Sequence, residues 1–233
     1  MAFWIRQALA TLALALLFSY SARGEGKSAQ PWNESFTARL EALALLQTLN
    51  ADLLSHDSAT LTLDRWCASH RLATPARIVA ELVRGAEQPP TAEQRQLLGV
   101  SEGEPVRFRK VRLRCGDRVL SQAANWYVPA RLTPEMNRVL ETTDTAFGRA
   151  VQALNFRRRT LSAKLLWSPL PQDWEMGARL EAAPGPTLVV PREVLEHRAV
   201  LTLPDGTPVS QVVETYTSEV LAFPEPQSSR AEK

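Results

Sequence analysis

The chain has 233 residues and a formal net charge of +2, with 45% hydrophobic and 22% charged residues. That length suits one domain, or two small ones, with a core that needs no disulfide or metal to hold it. The balance excludes a fibrous or disordered chain, and so weak a charge leaves no electrostatic footprint for nucleic acid, which is not expected as a partner.

Residues 1–24 have the pattern of an export signal. Arg6 precedes an Ala- and Leu-rich run over 8–18, broken only by Thr11, and the small residues Ser19, Ser21, Ala22 and Gly24 follow. The run is shorter than the roughly 20 apolar residues a bilayer requires, so a cleaved signal and an exported protein in the bacterial periplasm are expected, with no stable membrane span after its removal. Residues 25–35 read as a linker. A helix is expected over 36–54, with Leu40, Leu43, Leu45, Leu46 and Leu49 on its apolar stripe. Asp57 or Ser58 opens a turn into a shorter helix over 63–70. A strand is expected over 78–83, and a short helix over 91–98 with Thr91 as its cap and Glu93 behind it.

From residue 106 the pattern changes to alternation. Arg107, Arg109, Val111 and Leu113 fall on one face of a strand over 106–115, Gly116-Asp117 turns it, and a return strand over 118–128 stops at Pro129. Short helices are expected at 134–140 and 146–154, a strand over 157–167, a Pro-rich loop over 168–186, and closing strands over 187–190, 198–203 and 209–220. Asp205-Gly206 marks the last hairpin. Residues 223–233 read as a polar tail, leaving a domain over 36–222. Helices first and hairpin-linked strands after imply an α+β fold on a mostly antiparallel sheet, and a monomer is expected.

Cys67 and Cys115 either pair in an oxidising compartment or pack as two buried thiols. His56, His70 and His197 are scattered without metal-ligand spacing, and the chain has no glycine-rich phosphate loop, GxGxxG or GxSxG. No metal or cofactor is therefore expected. The residues that stand out are Arg109, on a face it shares with Val111 and Leu113, and Glu214, two places from both Val212 and Tyr216. A charge on an apolar face needs a partner. The two pair with each other, face solvent, or meet a small carboxylated ligand.

Four ordered motifs add to this: Asp57-Ser58-Ala59-Thr60, then Arg109-Lys110-Val111-Arg112-Leu113, then Thr145-Ala146-Phe147-Gly148-Arg149, and finally Gly206-Thr207-Pro208 with the stretch from Val212 to Tyr216. Over residues 49–216 the chain resembles the chorismate pyruvate-lyase family, which is related to the UTRA ligand-binding domains of bacterial repressors. The resemblance implies a closed pocket lined by Arg109, Phe147 and Glu214, in which chorismate is split into 4-hydroxybenzoate and pyruvate without a cofactor. Arg109 would hold a substrate carboxylate, and Glu214 would hydrogen-bond the substrate and assist proton movement. Ala59 stands where the family has methionine, and Asn125 where it has an arginine. A shift of one residue would put Lys110 in place of Arg109. The alternative reading is an exported, non-catalytic binding protein for a small aromatic carboxylic acid.

Overall fold

The structure, a computed structural model, describes residues 32–181 and 185–226; the expected signal over 1–24 and the tail from 227 lie outside the described residues. The first helix, α1 (Phe36–Ser55), begins where the extended Ser35 accepts a hydrogen bond from the Ala38 N–H at 3.0 Å, satisfying one of the free amides of the first turn. Its buried positions are Ala38, Ala42, Leu46, Leu49 and Leu53. The apolar stripe is thus rotated from the expected one, and Leu40 is exposed. Two alanines let the first turns approach their neighbours more closely than leucines would. The second helix, α2 (Ala59–Ser69), starts about a turn earlier than its leucines suggest, because Ser58 caps it by accepting from the Leu61 N–H.

The chain continues through β1 (Ile78–Leu82), α3 (Ala92–Leu98), β2 (Arg107–Cys115), β3 (Arg118–Tyr127), α4 (Pro134–Thr142), α5 (Phe147–Ala150), β4 (Arg157–Leu165), β5 (Glu193–Thr202) and β6 (Pro208–Thr217). The partner of Thr91 in its reciprocal cap is Gln94 rather than Glu93. The strands form one six-stranded sheet in the order β1-β2-β3-β6-β5-β4, and every neighbouring pair is antiparallel. The expected α+β architecture is therefore the one the chain adopts. The expected strand over 187–190 shrinks to a single bridge between Thr187 and Asn33, while β5 begins at Glu193, ahead of the expected 198.

The domain is also wider than the expected 36–222. Trp32 is buried, donates from Nε1–H to the Phe223 carbonyl at 2.8 Å, and meets the Phe223 ring edge-on. Trp32 therefore belongs to the fold rather than to a linker, and Phe223 to the fold rather than to the tail. Among the described residues no helix is long and apolar enough to cross a membrane.

Alternate residues of a strand share a face. One face of the sheet lies under α1 and α2, where Leu46, Leu49, Leu63 and Trp66 join Val111, Leu113, Leu195 and Tyr216 in the main core. The opposite face takes α3 through Leu98, Trp126 and Val128. A third cluster, with Tyr127, Leu140, Phe147, Phe156 and Leu201, gathers α4 and α5 against the sheet. The cysteines are paired: Cys67 of α2 is bonded to Cys115 at the end of β2, with a Cα separation of 6.2 Å and neither residue exposed. This bond pins α2 across the sheet.

Candidate ligand pocket

Alternation along β6 puts Val212, Glu214 and Tyr216 on the face beneath α1 and α2, and the register sets Glu214 beside Ala123 of β3 and His197 of β5. Arg158 reaches the same face from β4, opposite Leu201. A lone cation among such neighbours would be costly, and Glu214 relieves it. Arg158 Nη2–H donates to Glu214 Oε2 at 2.6 Å, with the two side chains only 3% and 7% exposed. Tyr216 O–H donates to the same oxygen at 3.2 Å. Burial pulls the Arg158 guanidinium down, but Glu214, with help from Tyr216 and Asp57, more than offsets this and holds it above its ordinary value. Tyr216 is raised well above the usual phenol range by burial first and by Glu214 second.

The pair lies in the wall of a cavity between the main core and the third cluster. Apolar walls come from Val111, Leu113, Phe147, Phe156, Leu201 and Val212, and polar ones from Asp57, Ser58, Thr60 and Asn125 beside Arg158 and Glu214. The room open to solvent is about 30 Å³, space for about two waters. The α1–α2 turn closes one side and is latched to β4. Asp57 Oδ1 accepts from the Arg158 backbone N–H at 2.8 Å, and its Oδ2 accepts from Arg157 Nη1–H at 3.3 Å.

Phe147 and Gly148 line the cavity against this turn. A Cβ on Gly148 would lie 2.7 Å from Ser58 Oγ, the oxygen that caps α2. Gly148→Ala is therefore expected to cost about 1–3 kcal/mol through overpacking, measured by denaturant unfolding. Adding Ser58→Ala should return part of that loss; a double variant no better than the single would locate the strain elsewhere. The neighbouring Arg149 is structural, with Nη2–H on Asp64 Oδ2 at 2.5 Å and Nη1–H on the Ile78 carbonyl at 2.9 Å.

Of the residues singled out in the sequence, Phe147 and Glu214 meet in this cavity, and Arg109 does not line it. Arg109 shares the sheet face, but its head turns to backbone carbonyls: Nε–H to Leu140 at 3.0 Å and Nη2–H to Thr145 at 2.9 Å. Burial lowers its pKa. It clamps the segment between α4 and α5 and so places Phe147. Lys110 falls on the other face, beside Ala124. Arg109 and Glu214 are not paired with each other, since the partner of Glu214 is Arg158. Asn125, in the place of a family arginine, accepts from Ser210 O–H at 3.3 Å.

Sequence reasoning missed Arg158, the middle of three consecutive arginines that open β4. Alternation says only that Arg158 faces away from Arg157 and Arg159, and no buried position in the strand marks which face is covered. His197, which nothing in the sequence placed at the site, is fully buried next to Glu214, with Nε2 at 2.8 Å from Asn50 Oδ1. Burial pushes it down to about 4, so it is neutral at ordinary pH. Among the described residues no group of three or more His, Cys, Asp or Glu side chains is placed to hold a metal ion.

No protein-family model matches the chain. The chain is 59% identical over 200 residues to the uncharacterized protein y4mC of Sinorhizobium fredii, covering 85% of this chain and 84% of that protein. Among solved structures it is similar to PhnF of Mycobacterium smegmatis, at 14% identity and a TM-score of 0.46 over 76% of this chain and 71% of that one. It is also similar to the possible transcriptional regulator YydK of Bacillus subtilis, at 14% identity and a TM-score of 0.39 over 65% of this chain. The chain spans 63% of YydK, less than two thirds of its length.

Proposed function

The chain belongs to the family of the Sinorhizobium fredii protein y4mC, and we propose that it binds a small aromatic carboxylic acid in the cavity around Arg158 and Glu214. The observation that carries this reading is a buried ion pair set in apolar walls. A buried pair adds little net stability over apolar residues of the same volume, whereas a guanidinium in an apolar cavity is well suited to a carboxylate. Phe147 and Phe156 offer ring surfaces on which an aromatic body would lie.

Arg158 holds the ligand carboxylate in this reading, the role the resemblance gave to Arg109. A purified protein warmed with a panel of small aromatic acids should show a ligand-dependent rise in melting temperature. Arg158→Ala should abolish that rise. Arg109→Met should lower the melting temperature yet keep the response. A response lost with Arg109 and kept without Arg158 would overturn the assignment.

The finer form of the proposal is cleavage of chorismate to 4-hydroxybenzoate and pyruvate. It is supported by Phe147 and Glu214 lining one cavity, as the resemblance implies. Positioning and exclusion of water would supply the catalysis, with Glu214 hydrogen-bonding the substrate. Release of 4-hydroxybenzoate from chorismate, lost in Glu214→Ala, tests it; saturable binding without release leaves a binding protein. We further place the mature domain outside the cytoplasm, in a bacterial periplasm. The Cys67–Cys115 disulfide supports an oxidising compartment, and fractionation of the host tests it.

A further inference from the structure

The ion pair in the cavity wall is only half used. Arg158 engages Glu214 through Nη2 alone, and its Nε is buried without a partner among the described residues. Glu214 receives both Arg158 and Tyr216 on the single oxygen Oε2. A guanidinium and a carboxylate that belonged only to each other would meet through two parallel hydrogen bonds. The cavity also leaves about 30 Å³ of open room, too little for an aromatic acid beside the pair as it stands. Something must give way on binding, and the group already on the guanidinium is a carboxylate.

Resting on the reading that the cavity takes a small carboxylic acid, we infer that Glu214 is an internal stand-in for the ligand: the ligand carboxylate displaces Glu214 from Arg158, and the released Glu214 side chain takes a proton from the buffer. The charge then balances, since one cation faces one anion before and after. The surroundings of Glu214 favour this outcome. Its neighbour on β3 is Ala123, and its neighbour on β5 is His197, neutral at ordinary pH. Tyr216 on its own strand stays protonated. Asp57 in the α1–α2 turn is held by Arg157 and by the Arg158 backbone, and Arg109 on β2 lies outside the lining, with Nε and Nη2 on carbonyls and Nη1 buried without a partner among the described residues. α5 brings only Phe147 and Gly148 to the lining. Among the described residues that line the cavity Arg158 is the one cation, and a released carboxylate left unpaired in such walls is costly.

Benzoate is the probe, titrated calorimetrically into the whole protein in buffers of different ionisation enthalpy. Uptake of about one proton per benzoate is expected, with affinity rising as pH falls through the range in which benzoate stays ionised. In Glu214→Gln the pH dependence should vanish and binding at the alkaline end should tighten by at least about tenfold. Glu214→Gln combined with Arg158→Ala should bind nothing. Proton-neutral binding by the unmodified protein, or a pH slope that survives Glu214→Gln, overturns the inference while leaving the binding function intact. If the unmodified protein ignores benzoate while Glu214→Gln is stabilised by it, Glu214 holds the guanidinium against the ligand and the inference is overturned; if neither responds, the binding function fails for this class as well. A Glu214→Gln chain that folds only with benzoate supports the inference; one that benzoate does not rescue overturns it.

Discussion

Replacing Cys67 and Cys115 together by alanine is expected to lower stability by about 4 kcal/mol. The bond closes a segment of 48 residues, and the loss of loop entropy from the unfolded chain over that length corresponds to about 4 kcal/mol in the chain-entropy description. For a chain of this size the melting temperature should fall by about 8–16 °C. The native contacts alone would not show so large an effect, because both cysteines are buried as well as any small apolar residue. The site should feel the change too. Cys67 lies on α2, whose cap and first turn give Ser58 and Thr60 to the cavity and whose Asp64 holds Arg149 beside Gly148. Denaturant unfolding of the double variant against the parent, with and without reductant, measures the effect. The parent under reductant should approach the variant, and a parent whose midpoint ignores reductant would show that the bond does not stabilise the fold.

The alternation that exposed the β2–β3 hairpin in the sequence worked because one face of β2 is buried from Arg109 to Cys115 while the other is covered only in part. Val111 and Leu113 declare the covered face, and Gly116-Asp117 marks the turn. The same rule reached β6 and therefore Glu214. It failed at β4, an edge strand with most of its residues exposed, where no hydrophobic pattern picks out a face and three arginines in a row read as solvated. The inward turn of Arg158 is set by pairing with β5 and by the Asp57 latch, both of them contacts between residues distant in sequence. α1 misled in a different way. Its leucines are numerous enough to suggest several stripes, and packing selected the one that begins with alanines. Arg109 was placed on the correct face, but a long side chain can turn its head away from the cavity its strand faces, and carbonyls from the α4–α5 segment, unseen in the local pattern, captured it.

Arg158→Met should be the most damaging single substitution in the cavity, and the reason separates stability from function. Removing one partner of a buried pair leaves the other charge uncompensated, a loss of about 3–5 kcal/mol. Part of that loss should return on acidification, because the folded variant gains by protonating a stranded carboxylate that the unfolded chain leaves in water. Adding Glu214→Leu removes the stranded charge altogether. Apolar replacement of a whole buried pair is neutral or stabilising by about 1–4 kcal/mol, so the double variant should unfold at or above the parent midpoint. It should also have lost any response to benzoate. A stable double variant blind to the ligand would mean that the pair is retained for what it binds. One as unstable as Arg158→Met alone would mean that the pair holds the sheet to the turn above it, and that the cavity is a consequence of that packing.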